Sequence, residues 1–393
     1  MSSIAKAIGP ISYSQTSHNN VKLLRAGNEF FGKLLDLIEQ AKHIIYFQIY
    51  IFEDDETGKQ VADALMKAAR RGVKIYMLVD GYASQSLPAE FIKNLQRSGI
   101  KFRKFEPIFR SKSYYFGRRL HHKVMVFDSC SALVGGINIS NNYSDEFDKP
   151  AWLDWAVSVK GEAAAQLEEV CRIKAEKAGY RISVLKPARL KFKMPDEVCK
   201  VKISINDWIN RKAEITQSYL RMFDEAQSYI YIMSPYFIPG RELTKALLAA
   251  ANRGVVIKLI LPGISDVQMA KHAERYMYRK LFRHNIHIYE YQPKVLHGKL
   301  ATYDGKWTTV GSYNVNNISA YASIELNLEI HNEVFAADVE KRLNRIIEND
   351  CIKLNEEDYL RKLNLFKLFV QRSSYDISRL LLFLFTFYFK QKE

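Results

Sequence analysis

Strand-like and helix-like stretches alternate along this chain, and the alternation occurs twice. In the first half, the apolar run Ile44 to Phe52 predicts a strand. An amphipathic stretch follows, ending Ala64-Leu65-Met66-Lys67-Ala68-Ala69-Arg70-Arg71, then Gly72, then the β-branched run Val73 to Val79. In the second half, Tyr229 to Phe237 leads to Ala246-Leu247-Leu248-Ala249-Ala250-Ala251-Asn252-Arg253, Gly254, and Val255 to Leu261. Both copies read as helix end, glycine cap and strand. Each continues with a helical stretch (Ala89 to Ser98, Gln268 to Arg283) and another strand (Lys101 to Phe105, Ile286 to Tyr291). The alternation predicts βαβ units on a largely parallel sheet, and so an α/β fold of two similar lobes packed face to face.

The repeat sets the first lobe at 20–180 and the second at 198–350. A polar lead, 1–19, precedes them, and the linker 181–197 contains the basic, proline-bearing stretch Leu185 to Pro195. The remainder, 351–393, has no counterpart in the first half. Within it Tyr359, Leu360, Leu363, Phe366, Phe369 and Val370 recur at helical spacing from 359 to 372, with Lys and Arg between them. That pattern fits a helix packed on the body as well as an interfacial one. The near-continuous apolar run Leu380 to Phe389 reads better as a surface anchor. No stretch reaches the roughly 18–20 apolar residues that span a bilayer, and the polar start has no signal-peptide core. The expectation is a peripheral protein.

Of the 393 residues, 48% are apolar and 26% charged, which excludes a disordered or fibrous chain. Charge changes the picture more. Lys+Arg number 58 against 43 Asp+Glu, a net charge of +15, which calls for an anionic partner: nucleic acid or an anionic membrane. Cys130, Cys171, Cys199 and Cys351 are widely separated and read as free thiols.

The chemistry lies in a second layer of the repeat. Leu120-His121-His122-Lys123-Val124-Met125-Val126-Phe127-Asp128 is followed by Gly135-Gly136-Ile137-Asn138. Leu296-His297-Gly298-Lys299-Leu300-Ala301-Thr302-Tyr303-Asp304 is followed by Gly311-Ser312-Tyr313-Asn314. From His, Lys lies two residues on, Asp seven and Asn seventeen, in both copies. Strand alternation sets His and Lys on one face and turns His122 the opposite way. One HxK would be weak evidence; two with matched offsets are a site.

The doubled pattern His-x-Lys-x4-Asp-x6-Gly-[Gly/Ser]-x-Asn resembles the phospholipase D superfamily. With Glu325-Leu326-Asn327-Leu328-Glu329, Phe52-Glu53-Asp54-Asp55, Asp80-Gly81-Tyr82 and Tyr236-Phe237-x-Pro239-Gly240, it is similar to bacterial cardiolipin synthases of the short type, without N-terminal transmembrane helices. Gly136 departs from the Gly-Ser of the family pattern, and His122 is an addition. The resemblance implies two lobes around one active site, a covalent phosphohistidine intermediate, and neither metal nor cofactor. In that scheme Lys123 and Lys299 neutralise phosphate oxygens, Asn138 and Asn314 donate hydrogen bonds, His121 attacks, and His297 serves as acid and then base. Asp154, 33 residues after His121, and Glu329, 32 after His297, are the implied orienting acids. Asp128 and Asp304 belong to the motif but, by strand parity and the turns after them, read as structural.

The first lobe also carries Ile108-Phe109-Arg110-Ser111-Lys112-Ser113-Tyr114-Tyr115-Phe116-Gly117-Arg118-Arg119, absent from the second. It suits a lipid headgroup boundary, single-stranded nucleic acid, or a plain solvated loop. The expected function is joining two phosphatidylglycerols into cardiolipin, on the cytoplasmic face of a bacterial membrane, with anionic phospholipid as partner and substrate. The alternatives are a nuclease of the same fold, against which the apolar tail argues, a phospholipase D hydrolase, and a non-catalytic binding module, against which two intact motifs argue.

Overall fold

The computed structural model describes residues 12–106, 119–145, 150–180, 182, 198–316 and 323–390. The basic aromatic insertion and the stretch Leu185 to Pro195 lie outside them, except Arg119.

Two copies of one arrangement are present. In the first lobe, β1 (Asn19–Arg25), α1 (Asn28–Gln40), β2 (Ile44–Ile49), α2 (Glu56–Arg70), β3 (Lys74–Asp80), α3 (Ala89–Arg97) and β4 (Lys101–Phe105) come first. Then follow β5 (Arg119–Leu120), β6 (Lys123–Phe127), β7 (Ser131–Gly135), β8 (Trp155–Gly161) and α4 (Glu162–Lys177). The seven-stranded sheet runs β1-β8-β7-β6-β2-β3-β4.

The second lobe repeats the plan with β9 (Lys200–Asp207), β10 (Lys212–Ala213), α5 (Glu214–Glu225), β11 (Tyr229–Met233), α6 (Arg241–Asn252), β12 (Val256–Ile264) and α7 (Gln268–Phe282). It closes with β13 (His287–Val295), β14 (Leu300–Tyr303), β15 (Trp307–Gly311), β16 (Ser323–His331), α8 (Glu333–Asp350) and β17 (Cys351–Lys353). Its strands run β10-β9-β16-β15-β14-β11-β12-β13-β17. Gly72 and Gly254, which end the repeated helices, hold matching left-handed φ of 92° and 94°, where an L side chain would be strained.

Neither sheet is largely parallel. Within each lobe β2-β3-β4 and β11-β12-β13 run parallel, and between the lobes the two-residue β5 runs parallel to β16. The turns at Asp128 and Asp304 fold each motif strand back as a hairpin, β6–β7 and β14–β15, which must be antiparallel. Each motif strand also pairs antiparallel with the central strand of its lobe.

The sheets face each other across a shared core that includes Val124, Val126 and Val157 from one lobe and Met233, Leu300 and Leu326 from the other, with α4 and α8 packed into it. Separate cores lie under the outer helices of each lobe. Thr16, in the polar lead, pairs with Val201 of β9 and ties the start of the chain to the second lobe.

The tail departs from expectation at two places. Its first residues, β17, pair with β13 and complete the second sheet. The helical pattern from 359 to 372 is also broken, into α9 (Glu356–Arg361) and α10 (Leu365–Lys390). Asn364 makes the break: its Oδ1 accepts from Lys367 N at 2.8 Å and starts a new helix. Helix α10 crosses α7 with a polar stripe inward, Gln371, Ser374 and Ser378 being buried. On its first turns Leu365 is 86%, Phe366 74% and Phe369 68% exposed, whereas the side chains of 381–390, and with them all of the expected anchor but Leu380, lie outside those the structure describes. Among the described residues, no helix is long and apolar enough to cross a membrane.

Candidate active site

Each motif histidine reaches the site by pairing with the opposite lobe. β5 runs beside the start of β16 (Arg119 with Ser323, Leu120 with Ile324), and His121 N donates to Ile324 O at 3.1 Å. Across the pseudo-twofold axis, Leu153 bridges Leu296, and Leu153 O accepts from His297 N and Gly298 N, both at 2.8 Å. The residue after Leu153 is Asp154 and the residue after Ile324 is Glu325. The same hydrogen bonds that dock the lobes therefore deliver an acid to each foreign histidine. Asp154 Oδ2 lies 2.6 Å from His297 Nδ1, and Glu325 Oε2 lies 2.7 Å from His121 Nδ1.

This arrangement corrects the assignment of acids. Asp154 belongs with His297, not with the histidine of its own lobe. Glu329 is on the same face of β16 as Glu325 but two repeats of the pleat further on, where Ser204, Ser218, Lys202 and Arg221 hold it. Burial alone would raise its carboxyl, yet those hydroxyl donors and cations bring it below the usual range. Glu325 is the residue that counting from the histidine misses. Sheet register locates it: Gly135 pairs with Ala156 and Gly311 with Asn327, so Asp154 and Glu325 each stand two residues before the partner.

The lysines are buried beside their histidines. Lys123 Nζ donates to His121 O at 2.6 Å and sits 4.9 Å from the centre of the Tyr50 ring. Lys299 Nζ donates to His297 O, with His297 Nδ1 2.8 Å away and Asp154 Oδ2 at 4.0 Å. Burial, reinforced by the Lys299 charge, pushes Lys123 down to about 7. Burial alone, opposed by Asp154 and Glu325, takes Lys299 to about 8. Both imidazoles are held below their usual range, first by burial and then by the adjacent lysines, against the pull of their acids.

Asn138 Nδ2 donates to Tyr143 OH at 3.0 Å, and that hydroxyl lies 3.1 Å from His297 Nδ1. Tyr143 is a further member of the site that the motif does not announce. Asn314 is buried, and its Oδ1 has no hydrogen-bond partner among the described residues.

The two Gly-x positions differ for a steric reason. Ser312 Oγ donates to Glu325 Oε2 at 2.5 Å and accepts from Leu326 N at 3.1 Å. At the equivalent Gly136, a Cβ would stand 2.3 Å from Asp154 Oδ1. The shorter acid sits where the serine would be, and Trp155 N donates to Asp154 Oδ1 instead.

The motif aspartates stand at the far ends of their strands. Asp128 accepts from Lys42, His43 and Ile44 N, all at 2.8 Å. Asp304 accepts from Gln227, Ser228 and Tyr229 N at 2.8 to 3.0 Å. Each pins the entry to the central strand of its lobe. His122, on the opposite face of its strand from His121, is buried toward the central layer, and neither ring nitrogen has a partner among the described residues. Among those residues, no group of three His, Cys, Asp or Glu is placed to hold a metal ion.

The chain matches the family described as cardiolipin synthase, PLD-like domain, over residues 34–169 and 219–347. It is 34% identical over 343 residues to Cardiolipin synthase B of Salmonella typhimurium, covering 86% of this chain and 83% of that protein. It is 32% identical over 346 residues to Cardiolipin synthase B of Escherichia coli K12, with the same coverage. In fold it is similar to the crystal structure of phosphatidylserine synthase from Haemophilus influenzae Rd KW20, with a TM-score of 0.70 at 18% identity, over 93% of this chain and 94% of that one.

Proposed function

Because this chain belongs to the cardiolipin synthase family of PLD-like proteins, we infer that it is a phosphatidyltransferase, and that it joins two phosphatidylglycerols into cardiolipin with release of glycerol. One observation carries the reading: two histidine–carboxylate pairs, each shared between lobes, flank two buried lysines. A carboxylate on Nδ1 holds a proton there, so that Nε2 of neutral His121 keeps its lone pair for attack while His297 enters the first step charged, with a second proton on Nε2.

In the first step His121 Nε2 attacks phosphorus while the P–O bond to the glycerol headgroup breaks. The departing alkoxide takes the proton carried by His297. In the second step, neutral His297 takes the proton of a hydroxyl on a second phosphatidylglycerol. That oxygen attacks phosphorus, and the P–N bond breaks. Lys123 and Lys299 neutralise the non-bridging oxygens, assisted by Asn138 and Asn314. Glu325 and Asp154 hold the imidazoles in register and stabilise them when charged. Since the positive charge comes from side chains of the chain itself, turnover is expected to persist in EDTA at fixed vesicle binding.

The outward apolar face of α10 supports attachment at a bilayer surface. The reading places the protein peripherally on the cytoplasmic face of the bacterial cell membrane, with anionic phospholipid as substrate and partner. The test is to incubate the purified chain with labelled phosphatidylglycerol vesicles, and separately with DNA. Cardiolipin and glycerol in equal amounts are expected. DNA cleavage without lipid exchange overturns the reading, and phosphatidic acid as the main product makes water the acceptor instead.

A further inference from the structure

Away from the histidines, α6, α7 and α10 enclose a groove of about 1130 Å³. Its rim carries Arg241, Lys245, Arg279, Lys280, Arg283 and Arg379, and no Asp or Glu lines it. Among the described residues, none of these six cations has a carboxylate within ion-pair distance. Elsewhere on α7 the rule is the reverse: Lys271 is paired with Glu274 and Glu290, and Arg275 with Glu290. Six like charges around one groove repel each other until an anion arrives.

The floor and the wall narrow the choice of anion. Leu248 and Met277 line the groove together with the cations, and Tyr276 and Tyr375 pack on each other with ring centres 4.9 Å apart. Rings engaged with each other are not the free stacking platforms that single-stranded nucleic acid uses. The wall is α10, whose outward face is apolar. Ile238, also in the lining, donates its N–H to Val315 O, next to Asn314. The occupant that fits is anionic at one end and apolar at the other.

We propose that this groove is a second phospholipid site, which holds the phosphate-bearing headgroup of an anionic phospholipid beside the membrane face of α10 while the histidines act on another lipid. The proposal rests on the phospholipid reading above, but uses none of its catalytic residues.

The test uses the full chain and the triple variant Arg279→Gln, Arg283→Gln, Arg379→Gln. Its controls are the Arg→Lys triple at the same positions and Lys59→Gln, Lys67→Gln, Arg70→Gln, which removes equal charge from exposed positions on α2. Binding is measured by cosedimentation with phosphatidylglycerol and with phosphatidylcholine vesicles, and catalysis with a monomeric short-chain phosphatidylglycerol. The groove triple should lose at least about tenfold in affinity for phosphatidylglycerol vesicles, at roughly 1 kcal/mol per cation near an anionic leaflet. The Arg→Lys and α2 triples should stay within about threefold of wild type, and short-chain turnover within about twofold.

Equal losses in the groove and α2 triples would reduce the effect to net charge and overturn the proposal. So would no loss at all. Displacement of vesicles from the wild type by millimolar inorganic phosphate, beyond that caused by chloride of equal ionic strength, would mean that the groove takes free phosphate. Displacement by single-stranded DNA that the groove triple abolishes would assign it to nucleic acid. The enzymatic reading fails separately, as absence of lipid product from the wild-type chain.

Discussion

Asp154 is held 2.6 Å from Nδ1 of His297, a histidine of the other lobe, and makes no bond to His121, the histidine of its own. Removing its charge should therefore disable the opposite motif. Asp154→Asn and Glu325→Gln are each expected to lower kcat by about 100-fold or more, as for other acids that fix a catalytic imidazole. Glu329→Gln should leave kcat within a few-fold and instead cost stability. The Glu329 carboxyl is held below its unfolded value, so its contribution is present above that value and lost as pH falls through the folded one. Steady-state kinetics and thermal melts from pH 3 to 7 separate the two classes. A Glu329 variant as dead as the Glu325 variant would reverse the assignment.

Gly136→Ser should be costly although it restores the serine of the other motif. Its Cβ would meet Asp154 Oδ1 at 2.3 Å and displace the acid from His297. A loss of about tenfold or more in kcat is expected, with little change in melting temperature. Ser312→Gly, which removes one hydrogen bond to Glu325, should cost less. The comparison fails if the two variants rank the other way.

His121→Asn and His297→Asn should each reduce turnover by about 100-fold or more. Quenching the wild type during turnover and mapping the phosphorylated peptide should find the adduct on one histidine alone. The expected site of the adduct is His121. An adduct on His297 exchanges the two roles, and near-normal turnover by either variant refutes a shared site.

Lys123 and Lys299, pushed down to about 7 and about 8, lose their protons as pH rises through those values. In the free enzyme kcat/KM should therefore fall on the alkaline side no later than about 7 to 8, and earlier where the charged form of His297, held below its usual range, is the first to be lost. Stability runs the opposite way. Below about pH 7 Lys123 is charged in both states and its burial penalty is complete; the penalty fades toward pH 10.5, where the unfolded lysine also deprotonates. Lys123→Met should thus abolish activity yet raise the melting temperature by about a few degrees at pH 6, with a smaller gain at pH 9. A lower melting temperature at pH 6 contradicts the electrostatic account.

Phe366 and Phe369 stand on the exposed face of α10. Burying a side chain of that size is worth roughly 1.5–3 kcal/mol. Phe366→Ser with Phe369→Ser should lower affinity for anionic vesicles at least about tenfold and leave turnover of a short-chain substrate unchanged. Loss of fold, seen as an earlier melt, would make α10 a core element instead.

The repeat was legible because it is written in strong local signals. Helix ends capped by Gly72 and Gly254 mark the repeat, and the His–Lys–Asp–Asn spacings single out His121, Lys123, Asn138, His297 and Lys299, which the structure brings together with Asp154. The offset to Glu329 passes over Glu325, the acid the structure sets on His121, because equal offsets assume equal loops. The segment between the motif asparagine and the last motif-side strand runs from 138 to 155 in one lobe and from 314 to 323 in the other. Glu325 and Glu329 share a face of β16, so alternation alone could not choose between them. The crossing of acids between lobes and the contribution of Tyr143 depend on how the two sheets dock, which local pattern does not encode. Asn364 sits within an unbroken apolar spacing, so periodicity ran through a cap that divides two helices.

The exchange of acids across the axis also bears on ancestry. A single lobe paired with a second copy of itself about a twofold axis would satisfy the same geometry, each copy lending its acid to the other. In such a dimer every change appears twice. Joined in one chain, the halves are free to diverge, and they have: aspartate faces glutamate, Gly136 faces Ser312, and His122 stands where the other half has Gly298. Duplication followed by fusion turns a symmetric pair of histidines into two that can specialise, one for attack and one for moving the proton.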